Sequence, residues 1–194
     1  MNNSSDGYHG DRNILKGFAA GLIGGLVASA VMNQFQKATA KLITREERSH
    51  GAQSLQPGQP DHGIGKMLKD HGVDDPDDDS AERLANAASI ALLDHELTET
   101  EKDIGGTLFH YGYGASMGAV YGAAAEMLPQ VTAGAGLPYG ALIWVGADEG
   151  VVPLMGLSET PDKYPASVHI SSLAAHLVYG LTAEIARKTV RKIL

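Results

Sequence analysis

Long stretches free of Asp, Glu, Lys and Arg alternate with one strongly polar segment, and that alternation organises the chain. Four uncharged windows stand out, Gly17–Gln36, Ile104–Ala125, Met127–Ala147 and Tyr164–Ala183. Each is close to the ~20 residues that a helix needs to cross the hydrocarbon core of a bilayer. A turn-forming stretch around Pro129–Ala135 moves the third helix to Gly136–Leu157, where it takes in Asp148 and Glu149. The pattern predicts an all-α, four-helix transmembrane bundle with a polar, partly helical insertion between spans one and two. The corresponding organisation is a disordered tail over 1–13, a first transmembrane helix over 14–36, an acidic extramembrane segment over 37–103, and spans two to four with a basic end over 104–194.

The first window also has features of a cleaved signal peptide, with Arg12 and Lys16 ahead of it and Ala28-Ser29-Ala30 as a small-x-small site. Gly21, Gly24 and Gly25 interrupt its apolar run, and three further spans follow, so a retained helix is the expectation. Small residues repeat every fourth position: Gly17, Gly21, Gly25 and Ser29 in the first span, Gly114, Gly118 and Gly122 in the second. In lipid, where no hydrophobic force drives helices together, such stripes let backbones approach closely. In the third span the stripe runs through Gly136, Gly140, Trp144 and Asp148, with Pro138 and Pro153 limiting its regularity.

The heptapeptide Val120–Glu126 returns as Val178–Glu184. Superposing Glu126 on Glu184 aligns Gly118 with His176 and Gly122 with Gly180, and setting Gly17 on Gly136 brings Gly21 onto Gly140. The reading is two helical hairpins related by duplication, one of which carries the insertion.

Inside the insertion, the run Asp74-Asp75-Pro76-Asp77-Asp78-Asp79 lacks the glycine and terminal Glu of an EF-hand loop. Asp79 with Glu82 reads instead as a capping box opening a helix near Ala81–His95, with Leu84, Ala88, Ala91 and Leu92 on one stripe. Thr98 with Glu101 opens another helix that continues into span two. Gly51–Gly72 reads as irregular loop, and its histidines, with His95, as surface groups.

Charge and composition narrow the function classes. Of the net charge of −8, residues 45–103 hold 15 acidic against 6 basic residues, so a basic nucleic-acid footprint is missing. With no cysteine, disulfides, Cys-based zinc sites and thiol nucleophiles are excluded. The mean hydropathy of −0.11 averages a very polar segment with very apolar ones. No nucleophile–base pair is identifiable, and the reading leans away from an enzyme. Basic residues flank the spans equally on the two sides, so they leave orientation undecided; the dense C-terminal basic cluster favours cytoplasmic termini.

Antiparallel spans predict two interior polar layers. Asn33, His110, Asp148, Glu149 and His169 fall toward the side opposite the termini, His176 sits near mid-span, and Glu126 and Glu184 lie toward the termini. His110, Asp148 and His169 offer imidazole and carboxylate ligands of the kind a transition metal takes, and they suit a proton relay equally well. The expected geometry joins Asp148 to His169 and leaves Glu149 facing solvent. Each Glu of the second layer also has a structural reading, pairing with Arg187 or Lys188, and Tyr121 and Tyr179 read as packing residues.

Tyr121-Gly122 through Glu126-Met127-Leu128-Pro129, the Gly140 helix ending in Pro153-Leu154-Met155-Gly156-Leu157, and His176-Leu177-Val178 with Glu184 and the basic tail resemble the YagU-like family of bacterial inner-membrane proteins. The resemblance covers Phe109 to about Arg191 and leaves the 45–103 segment outside. It implies a multi-pass inner-membrane protein of unassigned molecular function and supplies no catalytic residues. Two functions follow as expectations: a small bundle handling a proton, ion or metal through its polar layers, or a membrane scaffold acting through glycine faces and the acidic loop. The partners expected are the lipid bilayer and a second copy or another membrane protein.

Overall fold

The computed structural model describes residues 13–39 and 60–194. The expected tail over 1–13 and the continuation of the first helix past residue 39 fall almost wholly outside them. Among the described residues the regular structure is all helix, without strands, and the main helices are Ile14–Thr39 (α1), Gly63–Asp70 (α2), Ser80–Leu93 (α3), Glu99–Met127 (α4), Leu137–Gly146 (α5) and Ala166–Arg191 (α6). Both capping boxes form, Asp79 with Glu82 at α3 and Thr98 with Glu101 at α4. The stretch expected to be irregular contains α2, because docking supplies what the local sequence lacks. Ile64 N donates to the Met155 carbonyl, Gly65 N to the Gly156 carbonyl, and the His62 ring to the Pro153 carbonyl.

Helix α1 packs against α4 and α6, and α5 packs against α6. The two antiparallel pairs are built alike. A methyl group at Gly21 would overlap the Gly118 carbonyl, and one at Gly140 would overlap the His176 carbonyl; Gly17 meets Gly122 and Glu126 as Gly136 meets Gly180 and Glu184. These contacts fall on the positions that the repeated heptapeptide aligns. Backbone touches backbone along both seams, and only glycine leaves room for that.

Alanines and a few larger side chains share the centre, where Ala28, Met32, Ile143, Ala175, Tyr179 and Ala183 form the apolar core. The large apolar side chains point outward instead: Leu15, Leu22 and Leu26 on α1, Leu108 and Val120 on α4, Leu142 on α5, Ile170 on α6. Among the described residues, α1 alone is both long and apolar enough to cross a membrane by itself. Helices α4 and α6 have the length, 29 and 26 residues, but their inward glycines, serines and histidines lower their hydropathy. Helix α5 ends after 10 residues and continues through one π turn, Ala147–Val151, and a short helical turn, Val152–Leu154. Pro153 accounts for the wide turn, since it has no N–H for the Glu149 carbonyl and its ring would crowd that carbonyl.

Helix α3 buries a face other than the expected stripe. Ala88, Ala91 and Leu92 are exposed, while Arg83, Asn86 and Ala87 are buried. Polar positions win because they find partners. Arg83 donates to Asp74, the Asp75 carbonyl and the Leu157 carbonyl, and Asn86 accepts from Leu97 N. The Arg83 fan ties the acidic segment to the turn between α5 and α6.

Two outcomes are expected from this packing. Gly21→Leu and Gly140→Leu should each lower the thermal unfolding temperature sharply, whereas Gly112→Ala, with open space around it, should be neutral or stabilising by about 0.5–1 kcal/mol. Arg83→Ala removes one partner of a fully buried ion pair and should cost about 3–5 kcal/mol, measured by denaturant unfolding of the purified chain.

Candidate functional site: two interior polar layers and an acidic cap

The layer near the termini is built from ion pairs. Glu126 on α4 receives Arg191 Nε at 2.7 Å and Asn13 N at 3.0 Å. Glu184 on α6, 1% exposed, receives Arg187 Nε at 2.8 Å and Nη2 at 3.1 Å, with Lys188 Nζ 3.0 Å away. Each carboxylate therefore has at least one full cationic partner. The Arg187 guanidinium lies over the Tyr121 ring, which stacks on Tyr139, and Tyr179 donates to the Gly114 carbonyl at 2.6 Å. The arrangement supports packing and charge neutralisation.

The opposite layer is different. The π turn carries Asp148 inward, where its carboxylate accepts from Ser172 Oγ at 2.6 Å and lies 3.7 Å from His176 Nδ1. That nitrogen donates to the Ser172 carbonyl at 3.0 Å, so it carries a hydrogen and the ring can rest neutral. Asp148, 8% exposed, thus has a hydroxyl as its hydrogen-bond partner and a histidine beside it. Glu149 turns to His169, whose Nδ1 is 2.7 Å from Glu149 Oε1 while Nε2 donates to the Pro161 carbonyl at 3.0 Å. The carbonyl can only accept, so His169 donates from both nitrogens when Glu149 is ionised and holds a charge there.

The partners are exchanged relative to the sequence expectation. Asp148 meets Ser172 and His176, His169 meets Glu149, and Glu149 is tied down instead of facing solvent. The physical reason is the π turn, which rotates residues 148 and 149 away from ideal helical positions. Ser172 and His176 lie four apart on one stripe of α6, so their shared face was readable. His110 stands on α4 with its buried Nε2 atom unpartnered among the described residues, and Asn33 donates to Tyr111 Oη at 3.4 Å.

Nor do His110, Asp148 and His169 converge as three metal ligands. Among the described residues, the one trio of His, Asp or Glu ligand atoms within 4.8 Å of one another is Asp75, Asp78 and Glu99. Lys102 already occupies two of its three carboxylates, with Nζ 2.7 Å from both Asp78 Oδ1 and Glu99 Oε1. Burial alone would lower the Lys102 ammonium, but these two carboxylates outweigh it and hold it above its usual value. The Glu99–Lys102 spacing was readable on α4, but no sequence motif announces the Lys102–Asp78 pair or the Arg83 contacts, since Asp78 and the Leu157 carbonyl come from other parts of the fold.

Where α3 meets α4, carboxyls crowd together. Burial, with Asp79 and Asp103 beside it, pushes the Glu82 carboxyl up to about 7, from 4.5. Burial also raises Asp79, against the Ala81 and Glu82 N–H groups that it accepts. A carboxyl raised on folding binds a proton more tightly in the native state, so its stabilisation is complete below pH 4.5 and is lost as pH rises through about 7. Thermal stability should fall across that window in the wild-type chain, and Glu82→Gln, which keeps the acceptor for Asp79 N, should flatten the fall.

No curated protein and no solved structure matches this chain. A family model described as "Protein of unknown function (DUF1440)" matches residues 48–185, more than half of the sequence, and it takes in the acidic segment that the resemblance left aside. The acidic cap and the helices behind it thus share one family signature, and the chain belongs to this family of uncharacterised function.

Proposed function

We propose that the protein is a multi-pass membrane bundle of four spans that takes up and releases a proton at Asp148, between α5 and the Ser172–His176 face of α6. One observation carries the reading: most leucines and isoleucines of the four long segments point outward, while glycine, serine, histidine and carboxylates line much of the interior around a small apolar core. In water each exposed Leu or Ile would forgo about 1.5–3 kcal/mol of burial. Leu15, Leu108, Leu142 and Ile170, between 66% and 76% exposed, are suited to lipid instead. Helices α4 and α6 fall short on hydropathy because their polar residues face inward, as expected of inner helices in a polytopic bundle.

Proton handling is favoured over metal or ion handling by the ligand count. Asp148 and Ser172 offer too few converging oxygens for a bare cation, whereas a carboxylate beside an imidazole exchanges protons readily. The YagU-like resemblance supports an inner-membrane location, and the dense basic C-terminal end supports cytoplasmic termini. The scaffold reading loses its proposed surface, because the glycine seams are filled by the chain's own helices. A second copy or other membrane partner would have to use the outer apolar face.

Membrane fractionation should leave the protein in the detergent-dependent fraction, and reporters at Asp70 and after Leu194 should fall on opposite sides. Trp144, the single tryptophan, lies four residues before Asp148 and is the intrinsic fluorophore chosen to follow its charge. Its emission should titrate with pH in the purified protein, and Asp148→Asn should remove the transition. Recovery as a detergent-free soluble monomer would overturn the membrane reading, and a pH-independent Trp144 would overturn proton uptake.

A further inference from the structure

We infer that His110 is the proton entry relay for Asp148, connecting it to Asp79 under the acidic cap; this rests on the proton-uptake reading above. Contacts on three helices place the residues in order. The start of α3 presses on α4 at Gly106, where Glu82 and Ala81 would meet an added methyl group. His110 is one turn further along α4. Another turn on, Gly114 touches Tyr179 of α6 and Ser29 of α1. Helices α4 and α6 run the same way, so stepping back one turn on each brings His110 level with Ala175 and His176. His176 in turn flanks Asp148. The sequence of groups from cap to interior is therefore Asp79, His110, His176, Asp148.

Electrostatics agree with that order, since His110 lies within Coulombic range of both Asp79 and His176. Its ring also lies within reach of the Ser29 carbonyl. Because Nε2 has no partner, the nitrogen facing that carbonyl is Nδ1, which must carry the hydrogen. Nε2 is then a free lone pair in a buried setting. Structural histidines in such surroundings normally have both nitrogens engaged, and this one keeps the atom that a relay requires.

From the start of α3 come Asp79 and Glu82, from α4 Asp103 beside Glu82 and Tyr113 near Asp148, from α6 His176, and from the π turn Asp148 with Glu149 next to it; α1 contributes uncharged Ser29 and Asn33. The Lys102 ammonium is held by Asp78 and Glu99, and Arg83 is held by Asp74 and two carbonyls. A proton released from Asp79 binds Nε2 of neutral His110. That same Nε2 proton passes on to Nε2 of His176 while His110 Nδ1 stays on the Ser29 carbonyl; His176 then gives its Nδ1 hydrogen to the Asp148 carboxylate and regains its starting tautomer by turning its ring. One O–H bond breaks at Asp79 and one forms at Asp148, with no electrons transferred.

The capped mouth has a consequence for access. Asp79 is both the N-cap of α3 and the outermost member of the path, so the segment that closes this side of the bundle also supplies its proton donor. Asn is as good an N-cap as Asp, so Asp79→Asn removes the donor while keeping the helix start.

The test separates equilibrium from rate. The full-length protein in detergent is subjected to a rapid pH jump while Trp144 emission is followed. In the wild type the transition is fast. His110→Gln should slow it by about tenfold or more, in keeping with the size of positioned proton transfer, while the equilibrium midpoint and amplitude stay unchanged. Added imidazole should restore the rate, and Asp79→Asn should slow it while the equilibrium midpoint and amplitude of the Trp144 transition stay unchanged. A titrating protein whose rate is the same with His110→Gln overturns the relay and leaves proton uptake intact. A wild-type protein with no titration overturns both. If His110→Gln fails to fold, the Asp79→Asn rate decides: an unchanged rate overturns the relay.

Discussion

Backbone-to-backbone contact between antiparallel helices is the constraint on which this structure depends. Along the α1–α4 seam and again along the α5–α6 seam, a glycine on one helix lies against a carbonyl on the other. At that separation no bulky side chain fits at the glycine contacts themselves, so many of the large apolar residues of these helices point outward, while Met32, Ile143 and Tyr179 fill the space beside the seams. The outward bias of the large apolar residues is thus a direct result of the close approach. It suits a solvent in which van der Waals packing, not hydrophobic exclusion, holds helices together.

A tight interior makes each buried charge expensive, and the two polar layers meet that cost differently. Near the termini, Glu126 and Glu184 have guanidinium partners at hydrogen-bond distance, and the result is a clasp joining α4 to the end of α6. In the other layer Asp148 has Ser172 and the nearby His176 instead. A group with a weaker counter-charge retains the capacity to change its protonation state, while one locked to an arginine does not. The π turn produces the difference, since it re-aims residues 148 and 149 within the same helix.

The acidic segment is integral to this arrangement. Its α2 backbone bonds to Met155 and Gly156, its Arg83 reaches the Leu157 carbonyl, and its Lys102 is buried between carboxylates. The many Asp and Glu that dominate its composition therefore do two jobs. Some are helix caps, Asp79 among them, and solvated charges, while Asp74 and Asp78 are the buried partners of Arg83 and Lys102 in a cap closing one end of the bundle.

Local pattern determined a good deal by itself. The all-helical class, both capping boxes, the start of α5 after a turn, the glycine stripes and the repeat that aligns Gly118 with His176 were all legible. Each depends on spacing along one helix or on a cap completed within four residues. The pairing of Glu184 with Arg187 and Lys188 was readable for the same reason, three and four positions being neighbours on a helix. Tertiary structure decided the rest. Helix α2 forms against a turn some ninety residues away, α3 buries Arg83 instead of Leu92 because its partners lie outside the helix, and Asp148 exchanges His169 for Ser172 and His176. In each case the deciding energy comes from a group distant in sequence, or from a turn whose geometry Pro153 changes, and helical periodicity carries no information about either.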